Sequence, residues 1–178
     1  MMIATEFVIH GVLLIGLIAA GITDVRSSRV PNFITFSLVL VGLGFHSISD
    51  SGNGLLFSVE GLGLGFSLLI GFYVYGGMGA GDVKLLAAVG AVVGPFNVFV
   101  GFLFASLLGG LYAVAMMVWH LGLAQTAERI KVILVSMVFM KVNVTASLEQ
   151  TALPKLRYAL VLGLGTLIGQ GYQWFQTI

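Results

Sequence analysis

The chain contains no cysteine. That excludes disulfides and any thiolate metal site. Charge is nearly as scarce: 8% of the 178 residues are Asp, Glu, Lys or Arg, against about 25% in a typical soluble domain. With 58% hydrophobic residues, too few polar side chains remain to cover a water-exposed surface, so the reading is an integral membrane protein in one compact domain, residues 1–178. The formal net charge of +1 carries no electrostatic footprint for nucleic acid. Histidine occurs only at positions 10, 46 and 120, too scattered for a ligand set, and neither metal nor cofactor is expected. The N-terminus lacks the basic flank and small-residue cleavage site of a secretory signal, and it reads as a first helix. No solenoid-type repeat and no low-complexity tract is visible.

What the chain has in quantity is uncharged runs. A spanning helix needs about 20 mostly apolar residues, and the charges mark six candidates. They are residues 7–23, 33–49, 57–77, 82–94, 97–120 and 157–176. The second follows Pro31, which suits a helix start. Residues 85–127 hold no charge and are too long for one crossing; Pro95 disfavours helix at Gly94 and divides them. Tyr172 and Trp174 near the end of the sixth suit an interfacial position. The fold class is therefore all-α, a polytopic membrane protein with about six helices and both termini on one side.

The positive-inside rule orients this arrangement. Arg26 and Arg29 fall between spans one and two, and Lys84 at the turn between three and four. Arg129, Lys131, Lys141, Lys155 and Arg157 fall between five and six. All lie on one face, which is read as cytoplasmic; both termini are then outside. The loop 121–156 is cytoplasmic, and its apolar middle, residues 130–142, reads as a helix on the inner face or as a re-entrant segment.

That topology sorts the acids. Glu6, Asp50 and Glu60 belong outside; Glu128 and Glu149 belong to the loop. Asp24 at the end of span one and Asp82 at the start of span four meet the same inner face. Each has a bland explanation. Asp82 can cap a helix N-terminus, and Asp24 can form an interfacial ion pair with Arg26 or Arg29. As a pair they can do more. Two carboxylates close together in a poorly hydrated site do not both ionise easily, so one keeps its proton. The charged one can take a proton from water while the other polarises a carbonyl. That meets the acid–base requirement for hydrolysing a peptide bond without metal or covalent intermediate.

Asp82 stands in GGMGAGDVKLL, residues 76–86. Gly79 and Gly81 are read as letting the backbone enter the helix at an angle other residues resist, and as clearing space for the first helix or an extended substrate. The bland alternative is helix packing, since Gly61/Gly65, Gly90/Gly94 and Gly165/Gly169 repeat at four-residue spacing.

GAGD at 79–82 followed by VK resembles the Gly-x-Gly-Asp-x-Lys motif of type IV prepilin peptidases, membrane aspartic proteases related in motif to presenilin. DVRSSRVPN at 24–32 is similar to that family's first aspartate and its basic tail ending in Pro-Asn. The resemblance covers residues 5–110 well and the rest more loosely. It implies cleavage of a basic leader from a prepilin or pseudopilin precursor at the cytoplasmic face of a bacterial inner membrane. Asp24 and Asp82 are then the catalytic pair. Lys84 is a motif residue that tunes the pair or holds substrate, and Arg26, Arg29, Pro31 and Asn32 shape the loop after the first aspartate. Bifunctional members carry an extra domain with paired zinc-binding cysteines and methylate the new N-terminus. The cysteine-free chain with its short connection between spans one and two resembles instead the peptidase-only branch serving Flp or tight-adherence pili. Two other readings are a small transporter or proton relay, since intramembrane acids mark ion paths, and a non-catalytic component of pilus or secretion assembly.

Overall fold

The computed structural model describes residues 2–27, 30–49, 52–74, 78–139 and 163–166. Among them the fold is entirely helical. The helices are α1 (Met2–Ser27), α2 (Asn32–Ser49), α3 (Gly54–Val74) and α4 (Ala80–Phe139). Four stretches are long and apolar enough to cross a membrane: Val8–Ser27, Asn32–Ser49, Gly54–Val74 and Ala80–His120. The chain is a membrane protein. Of the expected sixth span, only residues 163–166 are described, and they are helical; the remainder lies outside the described residues, as do residues 140–156 of the expected loop.

Polar residues enter the apolar helices by bonding to the helix itself. Thr23 Oγ1 donates to the Ala19 and Ala20 carbonyls, and Ser27 Oγ to the Thr23 carbonyl at 2.7 Å. Helix starts use the preceding residue: the Pro31 carbonyl accepts from Ile34 N–H at 3.1 Å, and Asn53 does the same for Phe57 at 2.9 Å. Proline fits there because its missing N–H would have no helical partner anyway.

The chain forms two compact units, residues 1–108 with 157–178, and residues 109–156. In the first, the opening stretch of α4 is the centre. From Val83 to Gly94 every residue but Lys84 is buried, the signature of a helix enclosed on all sides. Leu85, Leu86 and Val89 are fully buried among Leu13, Leu17, Leu38 and Leu69 from α1, α2 and α3. Glycines on the flanking helices allow this. A methyl group on Gly61 of α3 would run into the Gly90 carbonyl, and one on Gly65 would sit 2.5 Å from the Leu86 carbonyl. One on Gly42 of α2 would sit 2.5 Å from the Ala91 carbonyl. Small residues bring helix backbones together where apolar lipid offers no hydrophobic drive to do so. The outer faces of α1 to α3 carry exposed Ile15, Ile18, Phe36, Leu40, Phe66 and Phe72, suited to lipid.

The two helices expected over 82–94 and 97–120 both lie in α4, which is interrupted at the point where Pro95 divides them. Gly94 has φ of +82° and Pro95 lies within the helix. Proline brings no N–H for the carbonyl four residues back, and the left-handed glycine diverts the path. The carbonyls freed there find side chains instead. Ser58 Oγ bonds Ala91 at 2.5 Å, His46 Nε2 bonds Val92 at 2.8 Å, and Asn97 Nδ2 bonds Val93 at 2.9 Å.

The described part of the second unit, residues 109–139, is helix. The helix expected over 130–142 is helical as far as it is described, to residue 139, and residues 121–139 continue α4 past Gly122 at φ +79°. Thr126 is buried and bonds the Gly122 carbonyl at 2.8 Å.

Candidate active site

Asp24 lies on α1 one turn from its end, in a helix whose last turn carries Arg26. Asp82 lies in the first turn of α4. Both are half-buried. They line one cavity of about 490 Å³ together with Val30, Pro31 and Asn32 on one side and Gly79, Ala80, Gly81 and Lys84 on the other. The two carboxylates are near enough to interact electrostatically.

The capping expectation for Asp82 holds in a modified form. The Asp82 backbone N–H bonds the Gly79 carbonyl at 3.2 Å, and the carboxylate in turn accepts from the Gly79 backbone. This is the reach-back of a third helical residue to the cap position. A carboxylate has about four acceptor sites, so the cap does not use it up. Asp24 differs. Its Oδ2 is buried with no hydrogen-bond partner among the described residues. An unpartnered buried carboxylate oxygen is costly, and such exceptions need a reason.

Neither glycine at the cavity is required by its backbone angle, and each sits beside a neighbour at contact distance. Neither Gly79 nor Gly81 has a left-handed φ; Gly94 and Gly122 do. The expectation that they turn the chain through an unusual angle is therefore corrected. A methyl at Gly81 would lie 3.4 Å from Val30 Cβ and from the Val30 backbone nitrogen, and one at Gly79 would lie 3.4 Å from Asp82 Oδ2. Val30, in the tail that follows α1, lies against Gly81 at the start of α4, and both line the cavity that holds the two acids.

Lys84 does not pair with either acid. Its Nζ donates to Asn32 Oδ1 at 3.1 Å, joining the last residue of the first motif to the last of the second. Pro31 is exposed at the cavity; Arg26 is exposed and outside its lining. Arg29 lies outside the described residues. Val30 and Ala80 belong to the lining although the sequence gave no chemical reason to single them out; Val30 stands inside the first motif, and only its packing on Gly81 marks it. Among the described residues no group of three or more His, Cys, Asp or Glu could hold a metal ion.

The sequence profile of the type IV leader peptidase family matches residues 11–114, more than half of the chain and all of the cavity lining. The chain is 35% identical over 102 residues to the prepilin leader peptidase/N-methyltransferase of Bacillus subtilis, covering 56% of this chain and 40% of that protein. It is 28% identical over 102 residues to the preflagellin peptidase of Methanocaldococcus jannaschii, covering 55% and 43%. The match thus spans less than half the length of either curated relative. No solved structure matches the chain.

Proposed function

The chain belongs to the type IV leader peptidase family, and from that premise we propose that it is a membrane-embedded aspartic endopeptidase that removes the basic leader of Flp-like prepilins or pseudopilins. Cleavage takes place at the cytoplasmic face of a bacterial inner membrane. One membrane domain carries the reaction, without methyl transfer. The observation that carries the reading is the shared cavity: carboxylates 58 positions apart in sequence line a single space of about 490 Å³. The names of the two relatives support the substrate class. The cysteine-free sequence supports peptidase activity alone, as does the short link between Ser27 and Asn32.

In this mechanism a precursor strand enters along the glycine stretch, where the lack of side chains leaves room for a backbone. The ionised aspartate takes a proton from water as that water attacks the scissile carbonyl. The protonated aspartate donates to the carbonyl oxygen, giving a gem-diol. As the C–N bond breaks, the proton gained by the first aspartate passes to the leaving amine and one diol hydroxyl returns its proton to the second, so water supplies the hydroxyl of the new acid and one proton of the amine, with no metal or acyl intermediate. Asp24, with its unpartnered oxygen, suits the group that engages water. Asp82, held by the Gly79 backbone, is the more fixed of the two.

The test is co-expression with a prepilin precursor carrying a basic leader, followed on a gel. A shortened product that disappears with Asp24→Asn and separately with Asp82→Asn is the expected result. Full processing by either variant sinks the dyad.

A further inference from the structure

We infer that Asn32 is a substrate-binding residue that donates its side-chain N–H groups to a backbone carbonyl of the precursor, and that Lys84 is a positioning residue acting through it. This inference rests on the peptidase reading above.

The argument starts from what each group can donate or accept. A lysine ammonium has three donors and no acceptor. The 3.1 Å contact from Lys84 Nζ therefore requires the oxygen of the Asn32 carboxamide, as the structure has it. The carboxamide is planar, so fixing Oδ1 toward the ammonium turns Nδ2 and its two N–H groups away from Lys84. Both residues line the cavity that holds Asp24 and Asp82.

The arrangement also explains why the lysine stands there. A cation two residues past Asp82 has two carboxylates in the same cavity available as partners, yet its bond goes to a neutral amide. Pairing with an acid would hold that carboxylate ionised and make it a poorer base, and would keep a proton off the group that must donate one. Bonding Asn32 leaves the acids to each other and locks the orientation of a donor that could otherwise flip by half a turn. The groups a peptide brings to such a cavity include backbone carbonyls, which are acceptors without donors. Asn32 opens α2 next to Pro31, whose carbonyl already serves Ile34. The Asn32 carbonyl likewise serves Thr35 Oγ1 at 3.0 Å. Its backbone is thus anchored while its side chain projects to the cavity.

The test measures kcat and KM of the detergent-solubilised full chain on a purified prepilin precursor, with melting temperature as the folding control. Asn32→Ala should raise KM about three- to tenfold, the worth of one neutral hydrogen bond, with kcat within about twofold. Asn32→Asp should raise KM at least as much, although its carboxylate keeps the tie to Lys84; a purely structural tie would leave KM unchanged. Lys84→Ala should raise KM less than Asn32→Ala does, and the double variant should match Asn32→Ala alone, because the lysine acts only through the amide. An Asn32→Asp chain with unchanged KM overturns the inference, and so do losses that multiply in the double variant. Asp82→Asn run alongside separates the two levels. If it is inactive while Asn32→Asp binds normally, this inference alone falls; if it still cleaves, the peptidase reading falls and takes the inference with it.

Discussion

The two ends of the buried stretch Val83–Gly94 carry polar groups under opposite rules. At the Gly94–Pro95 end, three carbonyls released by the break are each met by a side chain, from Ser58, His46 and Asn97. At the other end, Asp24 keeps a buried carboxylate oxygen with no partner among the described residues, and the nearest cation on α4 bonds Asn32 instead. Burial is common to both ends, so burial alone does not explain the difference. One end is closed by the chain's own groups. The other opens on the cavity lined by both acids, Asn32 and Lys84. Asn97 is the single lapse in the first set, since its Oδ1 has no partner; the structure offers no physical account of it.

That contrast can be broken by substitution, and the largest effect belongs to the acids. Asp24→Asn and Asp82→Asn should each cut processing by roughly 10²–10⁴-fold, the range for removing a general acid or base. The melting temperature of Asp24→Asn should not fall, because Asp24 Oδ2 has no hydrogen bond among the described residues to lose. Processing on a gel and a thermal melt of the purified protein check both halves. If Asp24→Asn melts well below the wild type, the open end is structural after all.

Next in size is the glycine packing that encloses α4. Gly61→Val places a branched side chain against the Gly90 carbonyl and should cost about 3 kcal/mol, the upper range for overpacking a core. Denaturant titration of the detergent-solubilised chain measures it. A near-neutral result would mean that α3 and α4 separate easily.

The closed end supplies a smaller effect. Ser58→Ala leaves the Ala91 carbonyl without its partner and should cost about 1–3 kcal/mol, with processing per folded molecule unchanged. Loss of processing with full stability would make the two ends functionally one.

The smallest effect sharpens the account of the glycines at the cavity. Gly81 has no left-handed φ, so Gly81→Ala should leave stability within about 1 kcal/mol of the wild type, the helix gain from alanine offsetting the contact with Val30. A much larger loss would restore the backbone-angle explanation that the structure sets aside. The same melting assay decides it.

Much of this was legible before any coordinates. Sparse charge and long uncharged runs identify membrane helices because lipid leaves the backbone no alternative partner. Pro95 announced a break because a missing N–H is a local property. The two aspartic motifs fell on one face because helix direction alternates and basic residues mark one side. The form of the break is not local: Gly94 takes a left-handed φ, and side chains from α2 and α3 meet the carbonyls freed beside it.

By itself, then, the sequence determined the helical class, the membrane setting, the two acidic motifs and their common face, because each depends on composition, order and local covalent chemistry. Only the tertiary structure decided that Val30 lies against Gly81, that Lys84 reaches Asn32 rather than an acid, and that Ser58 and His46 close the break. Those are contacts between segments from 33 to 52 positions apart. Which side chain meets which across such a gap depends on how closely the helix backbones approach and in what rotation. Here that is set by glycines such as Gly61, Gly65 and Gly90, whose spacing is visible in the sequence but whose opposing backbone is not.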